Sequence, residues 1–235
     1  MSTVDTQPRA TAWAEVPRHF PPGGVRVIGS VRLSLHDWSR PQPGTPRMFE
    51  LAWLERVSRT NPAVLPPIFL PPAVFFLWWS VRSGVSASLT ALLFACGLLG
   101  WTLVEYLMHR FSFHFVPRSG RGMAFAYLIH GVHHAFPEDD RRWVMPPITS
   151  VPIALFIFYP ILRVTLGGFH WAVAAGLLVG YLCYDLTHYT VHRGTMRWAI
   201  FRALRRYHLE HHYRTPERRF GVTSPFWDHV FHTAK

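Results

Sequence analysis

Four stretches of this chain carry no charged residue, and each is long enough to cross a bilayer. They are residues 63–81, 85–104, 143–162 and 164–184, and only Arg163 separates the last two. At about 1.5 Å per residue, a helix of roughly 20 residues spans a hydrocarbon core of about 30 Å. The pattern predicts an all-α integral membrane fold with four transmembrane helices in two hairpins. The spans are about 63–81, 85–108, 143–162 and 164–188, with turns at Ser83-Gly84 and Gly167-Gly168. Prolines interrupt the first run (Pro66, Pro67, Pro71, Pro72) and the third (Pro146, Pro147, Pro152, Pro160). Membrane helices tolerate proline where neighbours satisfy the freed carbonyls. For any single run, a buried soluble helix is the alternative.

The charges of the 235-residue chain sort around these runs. It is 49% hydrophobic and 16% charged, against about 25% charged in ordinary soluble domains, which excludes a disordered chain. A net charge of +11 ordinarily points to nucleic acid or an anionic surface. Here 22 of the 24 basic residues fall in residues 1–62, 105–142 and 185–235, and only Arg82 and Arg163 lie at the hairpin turns. With four spans those three regions share one side, which the positive-inside bias makes cytoplasmic. The charge thus reads as a topology signal, and nucleic acid drops out as a partner. Residues 1–61 are expected to form a polar cytosolic segment without a signal peptide. Residues 62–235 form the membrane domain, with a cytosolic cap from 109–142 and 189–235. Cys96 and Cys183 lie apart in apolar runs, too few for a disulfide framework or a cysteine zinc module, and each reads as a buried free thiol. The basic residues are 23 Arg and one Lys, a skew expected of a GC-rich, bacterial genome and hence a bacterial inner membrane.

Ten of the 15 histidines fall in four clusters: His109 and His114; His130, His133 and His134; His188 and His192; and His208, His211 and His212. Residues at i, i+3 and i+4 share a helix face, so each triplet is expected to aim three imidazoles at one point. His109 and His114 are five apart and need a helix end or a local distortion between them. All four clusters lie on the predicted cytoplasmic side. No cysteines accompany them, so a zinc finger is excluded. Ten imidazoles exceed the eight that two tetrahedral ions need and suit two five-coordinate ions. Imidazole suits iron as well as zinc, and affinity alone favours zinc, so a recombinant preparation can hold zinc in an iron site. Glu105 lies four residues before His109, and Asp185 three before His188. Both are expected to accept the second N–H of a ligand imidazole, fixing its tautomer; an interfacial salt bridge is the alternative. Tyr184 and Tyr189 are candidates for a substrate entry route or for interface anchors, as are Trp143 and Trp227. His19, His36, His170, His229 and His232 read as ordinary residues.

Segments EYLMHRFSFH (105–114), HGVHHAFPEDDRRWVMPP (130–147), YDLTHYTVH (184–192) and YHLEHHYRTPERRFGVTSPFWDHVFHT (207–233) resemble the fatty acid hydroxylase/sterol desaturase superfamily. The MPP, YDLTHY and FGVTSPFWD segments favour its fatty acid 2-hydroxylase branch. The resemblance covers most of residues 100–233 and places all ten clustered histidines at the family's ligand positions. It implies a four-helix membrane base, a cytosolic cap holding two iron ions, O2 as co-substrate, and hydroxylation of an acyl chain next to its carbonyl. Many members carry a cytochrome b5 domain, for which this chain has no room. PPGG at 21–24 faintly resembles a haem loop but lacks the histidine. The resemblance therefore implies a separate electron donor, cytochrome b5-like or ferredoxin-like. Within the same chemistry, a desaturase or a sterol or carotenoid hydroxylase remains open. A metal transporter or storage protein is the non-enzyme alternative, and it would place ligands at mid-membrane depth.

Overall fold

A computed structural model describes residues 16–17, 25–28, 31–194 and 197–235. The PPGG stretch and His19 lie outside the described residues. A short antiparallel hairpin, β1 (Val25–Ile28) and β2 (Val31–Leu33), leads into the small helix α1 (Ala52–Val57). The rest is helical. α2 spans Leu65–Arg82, α3 Ala87–Leu107, α4 Gly120–Ala126, α5 Val132–Ala135, α6 Pro147–Ile153, α7 Tyr159–Leu166, α8 His170–Arg193, α9 Ala199–Tyr213 and α10 Phe226–Val230. Single π-helical turns extend α3 (Met108–Phe113), join α4 to α5 (Tyr127–Gly131) and join α6 to α7 (Ala154–Phe158).

Three helical stretches are long and apolar enough to cross a membrane: Pro62–Arg82, Ala87–Phe113 and Pro147–Arg193. The third, of 47 residues, reverses on itself. Gly167 takes a positive φ of 53°, and the ring of Tyr159 lies 5.4 Å from that of His170. The 11-residue step from one to the other would span about 16 Å in a straight helix. The outer surfaces of these stretches are greasy: Val164 is 84% exposed, Phe156 77% and Leu99 68%. Cys96 and Cys183 lie on such outward faces and are exposed, so their expected burial is wrong. The apolar runs around them face outward from the protein. Pro71 and Pro72 sit inside α2 without ending it.

α3 and α8 form the tightest crossing. A Cβ on Gly97 would sit 2.2 Å from the Val173 carbonyl oxygen, and one on Gly176 2.2 Å from that of Phe94. Only glycine lets the two backbones meet. Inside the bundle, Leu65, Phe69, Trp101, Tyr181 and Tyr184 make one core. A second core lies beyond the helix ends, where Leu33, Leu35, Trp38, Met48 and Phe49 pack on Met123, Tyr127 and Phe136. The described part of the N-terminal segment is therefore packed against the helix that carries His130, rather than hanging from it. Arg142 fastens it further, donating to Glu55, Ser58, Pro46 and Asp139.

Candidate metal centre

The ten clustered histidines come together at one end of the helices as two groups of five. His109, His114, His130, His134 and His211 make one; His133, His188, His192, His208 and His212 make the other. All ten are buried. The π-helical turn at 108–113 explains the first pair. The amide of His114 donates to the carbonyl of His109 at 3.1 Å, an i→i+5 bond. The extra residue in that turn brings positions five apart onto one side, and their Nε2 atoms lie 3.2 Å apart.

The triplets behave differently from expectation. Each was expected to converge on one point, but each divides between the groups. His130 and His134, at i and i+4, join the first group, and His133 joins the second; His208 and His212 join the second, and His211 the first. On a helix, i+3 and i+4 point about 100° apart. A triplet helix set between two sites therefore offers ligands to both.

Nitrogens within each group are close. His188 and His192 each place Nε2 2.9 Å from that of His208, and His212 lies at 3.0 Å. In the first group, His109 Nε2 is 3.1 Å from that of His130. Nitrogens so spaced can both reach one ion at about 2.1 Å. Burial, reinforced by neighbouring imidazoles, holds His114, His130, His133, His134, His208, His211 and His212 well below the ordinary histidine pKa. These rings are neutral and keep a lone pair for a cation. Both ring nitrogens of His133, and Nε2 of His211, are buried without a hydrogen-bond partner among the described residues. Such orphans cost about 1–3 kcal/mol each, which a bound ion removes. The donor set, all imidazole, suits iron or zinc.

Two of the second nitrogens go to peptide carbonyls: His109 donates from Nδ1 to the carbonyl of Phe220, and His211 from Nδ1 to that of Arg218. The two carboxylates expected in this role bind elsewhere. Glu105 accepts the amides of Val222 (2.6 Å) and Thr223 (2.8 Å) and the Thr223 hydroxyl (2.6 Å). Asp185 accepts the amide of Met145 at 3.4 Å. Neither makes the alternative salt bridge with Arg110 or Arg193: Arg110 donates to the Tyr106 hydroxyl and Arg193 to that of Tyr189. Sequence reasoning also missed Asp228, wholly buried. Its only signal is an acid inside the aromatic segment FGVTSPFWD.

Tyr184 stacks on His188 with 9° between the planes and 5.9 Å between centroids. Tyr189 packs edge-on against Trp143, which in turn stacks on His192. Trp227 donates to Thr102. His170, His229 and His232 lie outside both groups, and His36 packs on Phe136.

Two cavities adjoin the centre. One is almost wholly apolar and runs between α2, α3, α6–α7 and α8, from Glu105 and Tyr184 to Phe76, Tyr159 and Leu162. The other reaches His130, His133 and His188 and is walled by Met48, Leu54, Ser58, Arg142 and Thr149. Phe113, Met145 and Tyr184 line both.

Comparison with known proteins places this geometry among relatives. The family model Fatty acid hydroxylase matches residues 94–233. A dihydroceramide fatty acyl 2-hydroxylase of Arabidopsis thaliana is 39% identical over 189 residues, covering 80% of this chain and 79% of the relative. A ceramide very long chain fatty acid hydroxylase of Saccharomyces cerevisiae is 40% identical, covering 77% of this chain and 47% of its own length. A fatty acid 2-hydroxylase of Mus musculus is 32% identical, covering 88% of this chain and 61% of the relative. These organisms are eukaryotes and lend nothing to the bacterial origin expected from the arginine skew. Among solved structures, full-length scs7p, with only its hydroxylase domain visible, superposes with a TM-score of 0.74 at 36% identity, covering 86% of this chain and 75% of that one.

Proposed function

The chain belongs to the fatty acid hydroxylase family, and on that premise we propose that it hydroxylates a fatty acyl chain at C2, beside the acyl carbonyl, at two iron ions held by the ten histidines. The observation that carries this reading is the meeting of the two cavities at Phe113, Met145 and Tyr184, beside His188. The apolar cavity follows α8 from Tyr184 to Ala174, about 15 Å of helix. That is the depth of one leaflet of a roughly 30 Å hydrocarbon core, so it suits an acyl tail. The second cavity is walled by Ser58, Thr149 and Arg142 as well as by apolar residues, a mixed lining that suits a head group. A lipid lying across both presents the carbons nearest its head to His130, His133 and His188. That favours C2 over a mid-chain or terminal position.

The reaction converts C–H, O2, two electrons and two protons into C–OH and water. Iron, when bound, supplies the oxygen activation that no side chain here can supply. The chain's own groups do the rest. The neutral imidazoles offer lone pairs, and the carbonyls of Phe220 and Arg218 fix which nitrogen of His109 and His211 carries the proton. Phe113 stacks on His130 at 5.1 Å, and Phe220 packs on His109, His114 and His211. These rings exclude water from the reacting centre. Tyr184 lines both cavities and orients the substrate against His188.

α2, α3, α6–α7 and α8 are read as four membrane passes, with both termini, the cap and the histidines on the cytoplasmic side. The reversal at Gly167 and the placement of the basic residues support this. Both histidine groups lie at helix ends, unlike a transporter's mid-membrane site. Electrons come from a separate redox protein, for which exposed Arg118, Arg121, Arg202, Arg206 and Arg214 offer a docking face for an acidic donor.

Lipid mass spectrometry of cells with and without the gene, supplied with iron and a reductase, tests the reading. The expected product is a 2-hydroxyacyl lipid. An unsaturated acyl chain or a hydroxylated sterol in its place overturns it.

A further inference from the structure

Each histidine group leans on its own loop. For the first group that loop is residues 218–223. Its Phe220 carbonyl accepts from His109 and its Arg218 carbonyl from His211. Both histidines belong to the first group. For the second group it is residues 137–143, whose Trp143 ring stacks on that of His192 with 5.5 Å between centroids. No histidine is shared between the two loops.

The loops are also held separately. Asp228 grips the first. Its Oδ1 accepts the Phe220 amide at 2.9 Å and its Oδ2 the Gly221 amide at 2.8 Å, while the Thr233 hydroxyl donates to Oδ1 at 2.7 Å. Glu105 takes the next two amides, Val222 and Thr223. Four consecutive backbone N–H groups are thus claimed by two buried carboxylates. Gly221 is needed for this grip, because a Cβ there would lie 2.9 Å from Asp228 Oδ2 and 2.1 Å from the Ser224 carbonyl oxygen. The second loop is held by other groups. Asp139 pairs with Arg142 at 3.1 Å, and the Trp143 indole donates to the Pro137 carbonyl at 2.8 Å.

We propose that Asp228 is a positioning residue for the first metal site alone, acting through the 218–223 loop, and that Asp139 serves the second site alone through the 137–143 loop. The proposal rests on the reading that each group of five histidines holds one ion. A carbonyl held at the right place keeps the proton on Nδ1 and leaves Nε2 for the metal; a loosened one releases both tautomer and ring orientation. Glu105 shares the first loop but also lines the apolar cavity. Asp228 does not line it, so its effect on metal separates from any effect on substrate.

The test is metal content per chain of purified, monodisperse protein in detergent, followed by cobalt(II) titration read by absorbance. Wild type should hold two ions. Asp228→Asn should hold one, with cobalt affinity at the lost site reduced on the order of 10- to 100-fold. Its combination with a second change identifies which site was lost. Asp228→Asn with His211→Ala, a first-group ligand, should still hold one ion. Asp228→Asn with His212→Ala, a second-group ligand, should hold none. Asp139→Asn should show the mirror pattern. Should Asp228→Asn fail to fold, Gly221→Ala perturbs the same grip and should give the same result. A wild type without metal overturns the underlying reading. Two ions retained in folded Asp228→Asn, or equal loss from both sites, overturns the proposal itself.

Discussion

Arg142 and Glu55 are 87 residues apart in the chain and 2.9 Å apart in the structure. The pair ties the N-terminal segment to the 137–143 loop, whose Trp143 ring stacks on His192. Burial pushes the Glu55 carboxyl up, but the amides of Phe49 and Met48 and the guanidinium groups of Arg142 and Arg59 outweigh it and hold the pKa below its ordinary value of 4.5. A carboxyl so lowered contributes stability that is fully present above the ordinary value and is lost as pH falls through the folded one. Residues 31–60 should therefore gain hydrogen exchange below pH 4.5 before the bundle does. Glu55→Ala should bring that exchange to neutral pH, at a cost of about 2–3 kcal/mol.

Gly97→Leu should abolish assembly of the bundle, because the added side chain starts 2.2 Å from the Val173 carbonyl oxygen in the backbone of α8. Gly100→Ala, one turn along the same helix, meets nothing within 4 Å and should be neutral or slightly stabilising. Thermal unfolding monitored by size-exclusion recovery in detergent distinguishes the two.

Removing metal should destabilise the cap more than the bundle. The apoprotein keeps buried imidazole nitrogens without partners, including both of His133. An ion at 100 times its dissociation constant contributes about 2.7 kcal/mol. Chelation should lower the unfolding temperature and expose residues 109–142 and 189–235 to protease, and iron or zinc should reverse both effects.

Phe76 and Tyr159 close the far end of the apolar cavity, stacked at 6.3 Å. Phe76→Ala should lengthen it and move substrate preference toward longer acyl chains, by roughly tenfold in kcat/KM ratio. Competition between acyl chains of different length, read by mass spectrometry, checks this.

Cys96 and Cys183, exposed on outward faces of α3 and α8, report on the bilayer. In intact membranes neither should react with a membrane-impermeant maleimide. Both should react once the protein is denatured.

Much of this was legible because its signal is carried by side chains. Charge-free runs of about 20 residues mark the long helices, and the His109–His114 spacing demanded the distortion that the π-helical turn supplies. The ten clustered histidines were identifiable as a set. Their partition was not, since i, i+3 and i+4 share a face for one neighbour but divide when two sites flank the helix. The carbonyls of Phe220 and Arg218 were invisible, because every residue has a carbonyl and no side chain marks which ones are used. Glu105 stood on the correct face, yet its partner was the backbone of a loop 117 residues away. The N-terminal segment looked polar because its apolar residues, Leu33, Leu35, Trp38, Met48 and Phe49 among them, are scattered among prolines and arginines.

His133 and His134 are chain neighbours, as are His211 and His212, yet each pair is split between the two groups. His134 and His212, from opposite groups, stack at 4.2 Å. The span between the two sites is therefore gauged by single peptide units inside α5 and α9. Within these two pairs no loop residue separates a histidine of one group from a histidine of the other. A change in spacing between the paired histidines is taken up by rotation of individual rings.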